Sequence, residues 1–186
     1  MIRFYALIFT IATSVFSFDQ WSKFLAVAKL QSEGNSIPVN SWWSWTLVHN
    51  HAAAFSMFSF LPDSFRAVFL TLLPLCVLVL FWFLFLKNAN HDEIFKPVVF
   101  GLVLGGALGN IVDRIRLSYV IDFVDWFYPS SGKCFSPFFF KGMDGNCHWA
   151  VFNVADVAIS TSICLLFIAS FVMKEEPPKK KSKKKS

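Results

Sequence analysis

Four long apolar stretches decide what this chain can fold into. A hydrocarbon core about 30 Å thick takes about 20 helical residues to cross. Stretches of that length, or nearly so, run over about residues 2–27, 65–86, 97–117 and 151–173. Hydrophobic residues make up 55% of the chain and charged residues only 16%. A water-soluble fold of this size would leave much of that apolar surface wet, whereas lipid accepts it on every side of a helix. The expected fold class is therefore an α-helical membrane protein with four transmembrane helices in a single domain over residues 1–173. The run Gly101-Leu-Val-Leu-Gly-Gly-Ala-Leu-Gly109 suits close helix packing, because small residues let two backbones approach in lipid. Pro74 in the second stretch predicts a kink rather than a break. The first stretch starts like a secretory signal, but Ser17-Phe18-Asp19 offers no small-x-small cleavage site, so it is read as a permanent span.

The net charge of +5 comes entirely from the end of the chain. Residues 174–186 carry seven Lys and two Glu, and the body before them is neutral. Such a run predicts a disordered, solvated tail. No aromatic residues interleave its lysines, so nucleic acid is not expected as a partner. Basic residues next to a span favour the cytoplasmic side, which places both termini and the loop at residues 87–96 in the cytoplasm. Two larger pieces, about residues 28–64 and 116–150, then face outward. Trp42, Trp43, Trp45, Trp126, Phe127 and Tyr128 in these pieces favour the headgroup level of a membrane. The β-branched and aromatic content of residues 41–48 predicts a short strand. A small extracytoplasmic β-sheet and an interfacial helix are expected there. Cys134 and Cys147 fall on the same outer side, where a disulfide is permitted though not required; Cys76 and Cys164 lie inside apolar runs.

Polar residues at the ends of membrane spans are costly, and each is a functional hypothesis by default. Asp19 and Lys23 stand one helical turn apart and are expected to pair. Asn50 follows the predicted strand, Asn110, Asp113 and Arg114 end the third span, Asp122 follows it, and Asn153 with Asp156 opens the fourth. All of these belong near the outer interface. Two carboxylates sharing one low-dielectric site do not both ionise, so one keeps a proton while the other stays charged. That split supplies an acid and a base together, as hydrolysis by a pair of aspartates requires. Asp113 beside Arg114 reads as a structural ion pair, whereas Asp122 and Asp156 have no basic neighbour in sequence. Capping and inter-helix hydrogen bonding are the ordinary alternatives for the aspartates and for Asn50, Asn110 and Asn153. His49, His51, His91 and His148 show no metal-ligand spacing, so neither a metal nor a cofactor is expected.

Five blocks occur in order: Asp19-Gln-Trp-Ser-Lys23, Asn50-His-Ala-Ala-Ala-Phe-Ser56, Gly105-Gly-Ala-Leu-Gly-Asn-Ile-Val-Asp-Arg114, Val120-Ile-Asp-Phe123 and Phe152-Asn-Val-Ala-Asp156. Together they resemble the successive motifs of lipoprotein signal peptidase (signal peptidase II), over nearly the whole chain. The resemblance implies an enzyme of the bacterial inner membrane that cleaves prolipoprotein signal peptides just before a diacylglyceryl-modified Cys. It places the catalytic pair on Asp122 and Asp156 and assigns Asn50, Asn110, Arg114 and Asn153 to the substrate and inhibitor site. Asp19, Lys23 and Asp113 take supporting positions. It also implies binding of globomycin-type inhibitors. Membrane lipid is the other expected partner, and the chain is expected to act as a monomer. Where the family usually has Gly, two residues after the Asn of the second block, this chain has Ala52, and the stretch between Asp122 and Asp156 is longer than usual. A transporter is the main rival reading, but it needs polar groups through the full membrane thickness, and here they gather at one end.

Overall fold

The computed structural model describes residues 1–51, 62–86, 93–130, 132–135 and 139–172. The predicted tail, His91 and Ala52 lie outside them. Among the described residues, four α-helices and five strands follow in the order α1 (Ile2–Leu30), β1 (Ser36–Pro38), β2 (Trp43–Asn50), α2 (Asp63–Phe81), α3 (Phe95–Leu117), β3 (Val120–Pro129), β4 (Phe139–Lys141), β5 (Asn146–Trp149) and α4 (Val154–Val172). Helices α1, α3 and α4 are each long and apolar enough to cross a membrane. Helix α2 passes through Pro74 without breaking and runs on into a π-helical turn at Trp82–Leu86. On α4, Val157, Ile163, Phe167, Ile168, Phe171 and Val172 are all at least half exposed. An apolar face that large, on a helix long enough to cross a membrane, suits lipid.

Helix α3 is central because its glycines remove the side chains that would hold its neighbours off. A Cβ on Gly105 would lie 2.6 Å from the Ala12 carbonyl oxygen of α1, and one on Gly106 would lie 2.6 Å from the Ala155 carbonyl oxygen of α4. Both obstacles are backbone, which does not swing aside. The two residues therefore face two different helices, and α3 packs tightly on both. Phe4, Ile8, Leu78, Leu86, Phe100, Ala107 and Ile111 fill the space where α1, α2 and α3 meet.

The sheet has the order β1-β2-β3-β5-β4, and every pairing is antiparallel. The strand expected at residues 41–48 is β2, with a register shift between Trp45 and Val48 where it pairs with β3. Ala26 and Leu30 at the end of α1 pack with Leu47 and Phe123, so the sheet is docked on the helices through its own core. Helix α3 ends at Ser118, whose positive φ of 68° reverses the chain into β3. That short reversal brings the Ile121 backbone N–H to 3.3 Å from Asp113 Oδ2. No separate interfacial helix occurs among the described residues. Cys134 and Cys147 are joined, with their Cα atoms 5.6 Å apart, while Cys76 and Cys164 are free on exposed helix surfaces.

Candidate active site

The foundation of the site is a buried charge cluster between α1 and α3. Lys23 Nζ lies 2.8 Å from Asp19 Oδ2 and 2.7 Å from Asp113 Oδ2, and donates to Asn110 Oδ1 at 3.0 Å. An ammonium has three protons to donate, and each has a partner here. Lys23 is 2% exposed and Asp19 0%, so these charges survive burial only because they meet one another. The expected Asp19–Lys23 pair is present. The expected Asp113–Arg114 pair is not: Asp113 turns to Lys23, to Gln20 Nε2 at 3.0 Å and to the Ile121 backbone N–H at 3.3 Å. Consecutive residues on a helix point about 100° apart, so one helix face cannot hold both partners. Arg114 instead lines the cavity described below, and its guanidinium makes no hydrogen bond or ion pair among the described residues.

Helix α4 is positioned from both directions. The Ala155 backbone N–H donates to Asp19 Oδ1 at 2.9 Å, so α1 satisfies a free amide in the first turn of α4. Asn153 and Asp156 form a reciprocal cap. The Asp156 N–H donates to Asn153 Oδ1 at 3.0 Å, and the Asn153 N–H donates to Asp156 Oδ2 at 3.1 Å. The capping role weighed for Asp156 is therefore real, and it aims the carboxylate. The other oxygen, Oδ1, accepts from Asn110 Nδ2 at 2.9 Å.

Asp122 stands on β3 and is buried. Its Oδ1 accepts from Asn153 Nδ2 at 2.7 Å, and its Oδ2 accepts from Asn50 Nδ2 of β2 at 2.8 Å. Asn153 thus bonds both aspartates, one through its side chain and the other through its backbone. Asn110 closes the ring, since its Oδ1 accepts from Asn153 at 3.1 Å as well as from Lys23. Burial first, and then the negative charge of Asp156, push the Asp122 carboxyl up to about 7, against the opposing pull of Asn50, Lys23 and Asn153. A carboxyl group that holds its proton near neutrality beside a second carboxylate can supply an acid and a base together.

Both aspartates, with Asn50, Asn110 and Arg114, line one cavity of about 880 Å³. Its walls are Val48, His49 and His51 of β2 and its end, Trp126 of β3, Phe140 and Trp149 of β4 and β5, and Val157, Ile159 and Ser160 of α4. Of the nine residues expected at the site, Asn50, Asn110, Arg114, Asp122 and Asp156 face this cavity. Asn153 bridges the aspartates from behind, and Asp19, Lys23 and Asp113 form the buried support. Gln20 was not expected; it donates to Asp113 and, at 3.2 Å, to Asp19 Oδ2. Its signal was present, as a polar residue inside an apolar run directly after Asp19. Asp125 was missed too. It lies on the opposite face of β3 and accepts from Thr46 Oγ1 at 3.0 Å and Ser44 Oγ at 3.3 Å, a separation that the two-residue period of a strand predicts.

Residues 11–172 match the family model described as signal peptidase (SPase) II. Curated relatives named lipoprotein signal peptidase include one from Acinetobacter baumannii, 37% identical over 163 residues that cover 87% of this chain and 81% of the relative. Another, from Francisella tularensis subsp. novicida, is 32% identical and covers 90% of this chain and 93% of its own. A solved structure, described as a bacterial membrane enzyme determined by the in meso method at 2.3 Å, superposes with a TM-score of 0.69 at 27% identity, over 91% of this chain and 93% of that one. On the family model and on these relatives alike, the chain belongs to the signal peptidase II family.

Proposed function

We propose that this protein is an intramembrane aspartic endopeptidase that cleaves the signal peptide from diacylglyceryl-modified prolipoproteins, just before the lipidated Cys. The observation that carries this reading is the Asn153 bridge, which holds two acid groups from separate elements against one cavity. In the resting state the pair shares one proton, and Asp122 is the member whose surroundings retain it. Asp156 takes a proton from a water molecule as the water oxygen attacks the scissile carbonyl carbon, and Asp122 gives its proton to the carbonyl oxygen. The tetrahedral diol then collapses. A hydroxyl proton returns to Asp122, the C–N bond breaks, and Asp156 passes its proton to the departing nitrogen. The products are the carboxyl end of the signal peptide and the free amine of the lipidated Cys. Arg114, which lines the same cavity as the two aspartates, is placed to donate to a substrate carbonyl.

The proposed setting is the inner membrane, with α1, α2, α3 and α4 as the spans, both termini in the cytoplasm and the cavity at the outer face. The Cys134–Cys147 disulfide supports that side, because such bonds persist in oxidising compartments. The apolar α4 wall of the cavity suits the signal helix and its acyl chains. A cyclic lipopeptide of the globomycin type is expected to compete for the same space.

The test is cleavage of a purified prolipoprotein with and without its diacylglyceryl group, with the product ends mapped by mass spectrometry. The lipidated form is expected to be cut once, directly before the Cys, and the unlipidated form at least about 100-fold more slowly, since remote apolar contact is what positions the bond. Equal rates for the two forms, or a cut elsewhere, would refute the substrate assignment.

A further inference from the structure

Between Asp122 and Asp156 the chain makes an excursion that returns as the β4–β5 hairpin and is closed by the Cys134–Cys147 bond. Strand β5 extends the sheet from β3, with Phe127 opposite His148 and Tyr128 opposite Cys147. Three consecutive residues of β5 do three different things. Cys147 carries the disulfide. His148 fastens the hairpin, with Nδ1 2.8 Å from Asp125 Oδ1 and Nε2 3.1 Å from Asp144. Trp149 lines the catalytic cavity. Because strand side chains alternate, His148 and Trp149 point to opposite faces, so fastening and lining do not compete. On β3 the same alternation puts Asp122 and Trp126 on the cavity side and Asp125 on the fastening side.

The aspartates divide the cavity by chemistry. On one side Val157, Ile159 and Ser160 lead along α4 into the apolar helices. On the other side stand Trp126, Phe140 and Trp149, carried by the sheet. Trp126 packs edge-on against Phe152 at 4.9 Å and Trp149 against Phe139 at 5.4 Å, so both rings are held in place. Trp126 nevertheless leaves nearly half its surface open. A substrate whose signal helix lies along α4 must send the chain beyond its cleaved bond over the sheet. Trp126 is four residues along β3 from Asp122, about 13 Å. Extended substrate covers that distance in about four residues, and the ring itself shortens the gap.

We propose that the disulfide-closed hairpin is the specificity-determining wall of the cavity. Trp149, with Trp126, forms an aromatic subsite for apolar side chains two to four positions past the scissile bond. The inference rests on the reading under Proposed function and adds the part of the substrate on the far side of the cut.

The test uses the full chain and diacylglyceryl peptides that are identical up to the lipidated Cys and carry Leu and Phe, or Asp, at the second to fourth positions after the cut. Wild-type protein is expected to favour the apolar set by about tenfold in kcat/KM, the scale that contact with an apolar pocket supplies. Trp149→Ala should bring that ratio below about threefold, and Trp149→Phe, which keeps a ring there, should retain most of it. A wild-type ratio near one, or a ratio that Trp149→Ala leaves intact, overturns the inference while leaving the peptidase reading standing. So does a Trp149→Ala effect that appears only when the acyl chains are shortened, which would make the wall a lipid contact. Failure of the wild-type protein to cut any lipidated peptide overturns the peptidase reading as well.

Discussion

Asp122→Asn and Asp156→Asn should each lower the rate of prolipoprotein cleavage by about 10²- to 10⁴-fold, the range that a positioned acid or base contributes. The double variant should be little worse than either single one, because two residues that act as one unit do not lose their effects additively. The substitution preserves shape. An Asn at 156 keeps an oxygen for the cap with Asn153, and an Asn at 122 keeps one for Asn153 or Asn50. Each variant should therefore still fold and accumulate in the membrane, at a cost of about 1–3 kcal/mol for the one buried donor left unpaired. Cleavage of a labelled prolipoprotein, normalised to protein amount, measures the effect. Full activity in either variant would remove that residue from the mechanism.

Lys23→Met should be the most damaging change away from the dyad. The ammonium is the counter-charge for Asp19 and Asp113 and the donor that anchors Asn110. Removing it leaves two buried carboxylates facing each other, a change that costs about 3–5 kcal/mol where buried pairs are broken. For a chain of this size that is a melting temperature lower by roughly 10 °C. Intrinsic fluorescence of the seven tryptophans in detergent gives the measurement. The cluster predicts a specific rescue. Lys23→Met combined with Asp113→Asn should melt higher than Lys23→Met alone, because one uncompensated charge has gone, and a double-mutant cycle isolates that coupling. Independent, additive losses would mean that the three groups do not act together.

The parts legible in the sequence were those governed by solvent. Long apolar runs identify helices because the bilayer leaves the backbone few alternatives, and α1, α3 and α4 lie where the hydropathy places them. The candidate site residues stood out because a polar side chain at a span end needs a reason. Partner choice was less legible. Asp113 and Arg114 are adjacent in the chain, yet the helix sends them to different neighbours, one to Lys23 and one to the cavity. The joining of Cys134 to Cys147 and the use of Asp125 and His148 depend on sheet register, which adjacency in the chain does not reveal. The Asn153–Asp156 cap follows the spacing of a capping box, but only the structure shows the same Asn reaching Asp122.

If Asp122 and Asp156 work as one proton-sharing unit, the enzyme must lose activity when that single proton leaves. The surroundings of Asp122 hold its proton up to about pH 7. The kcat/KM of the purified protein on a lipidated peptide, measured from pH 5 to 9, should therefore fall above about pH 7, approaching tenfold per pH unit. A rate that stays level, or keeps rising, through pH 9 would contradict the shared proton and the mechanism built on it.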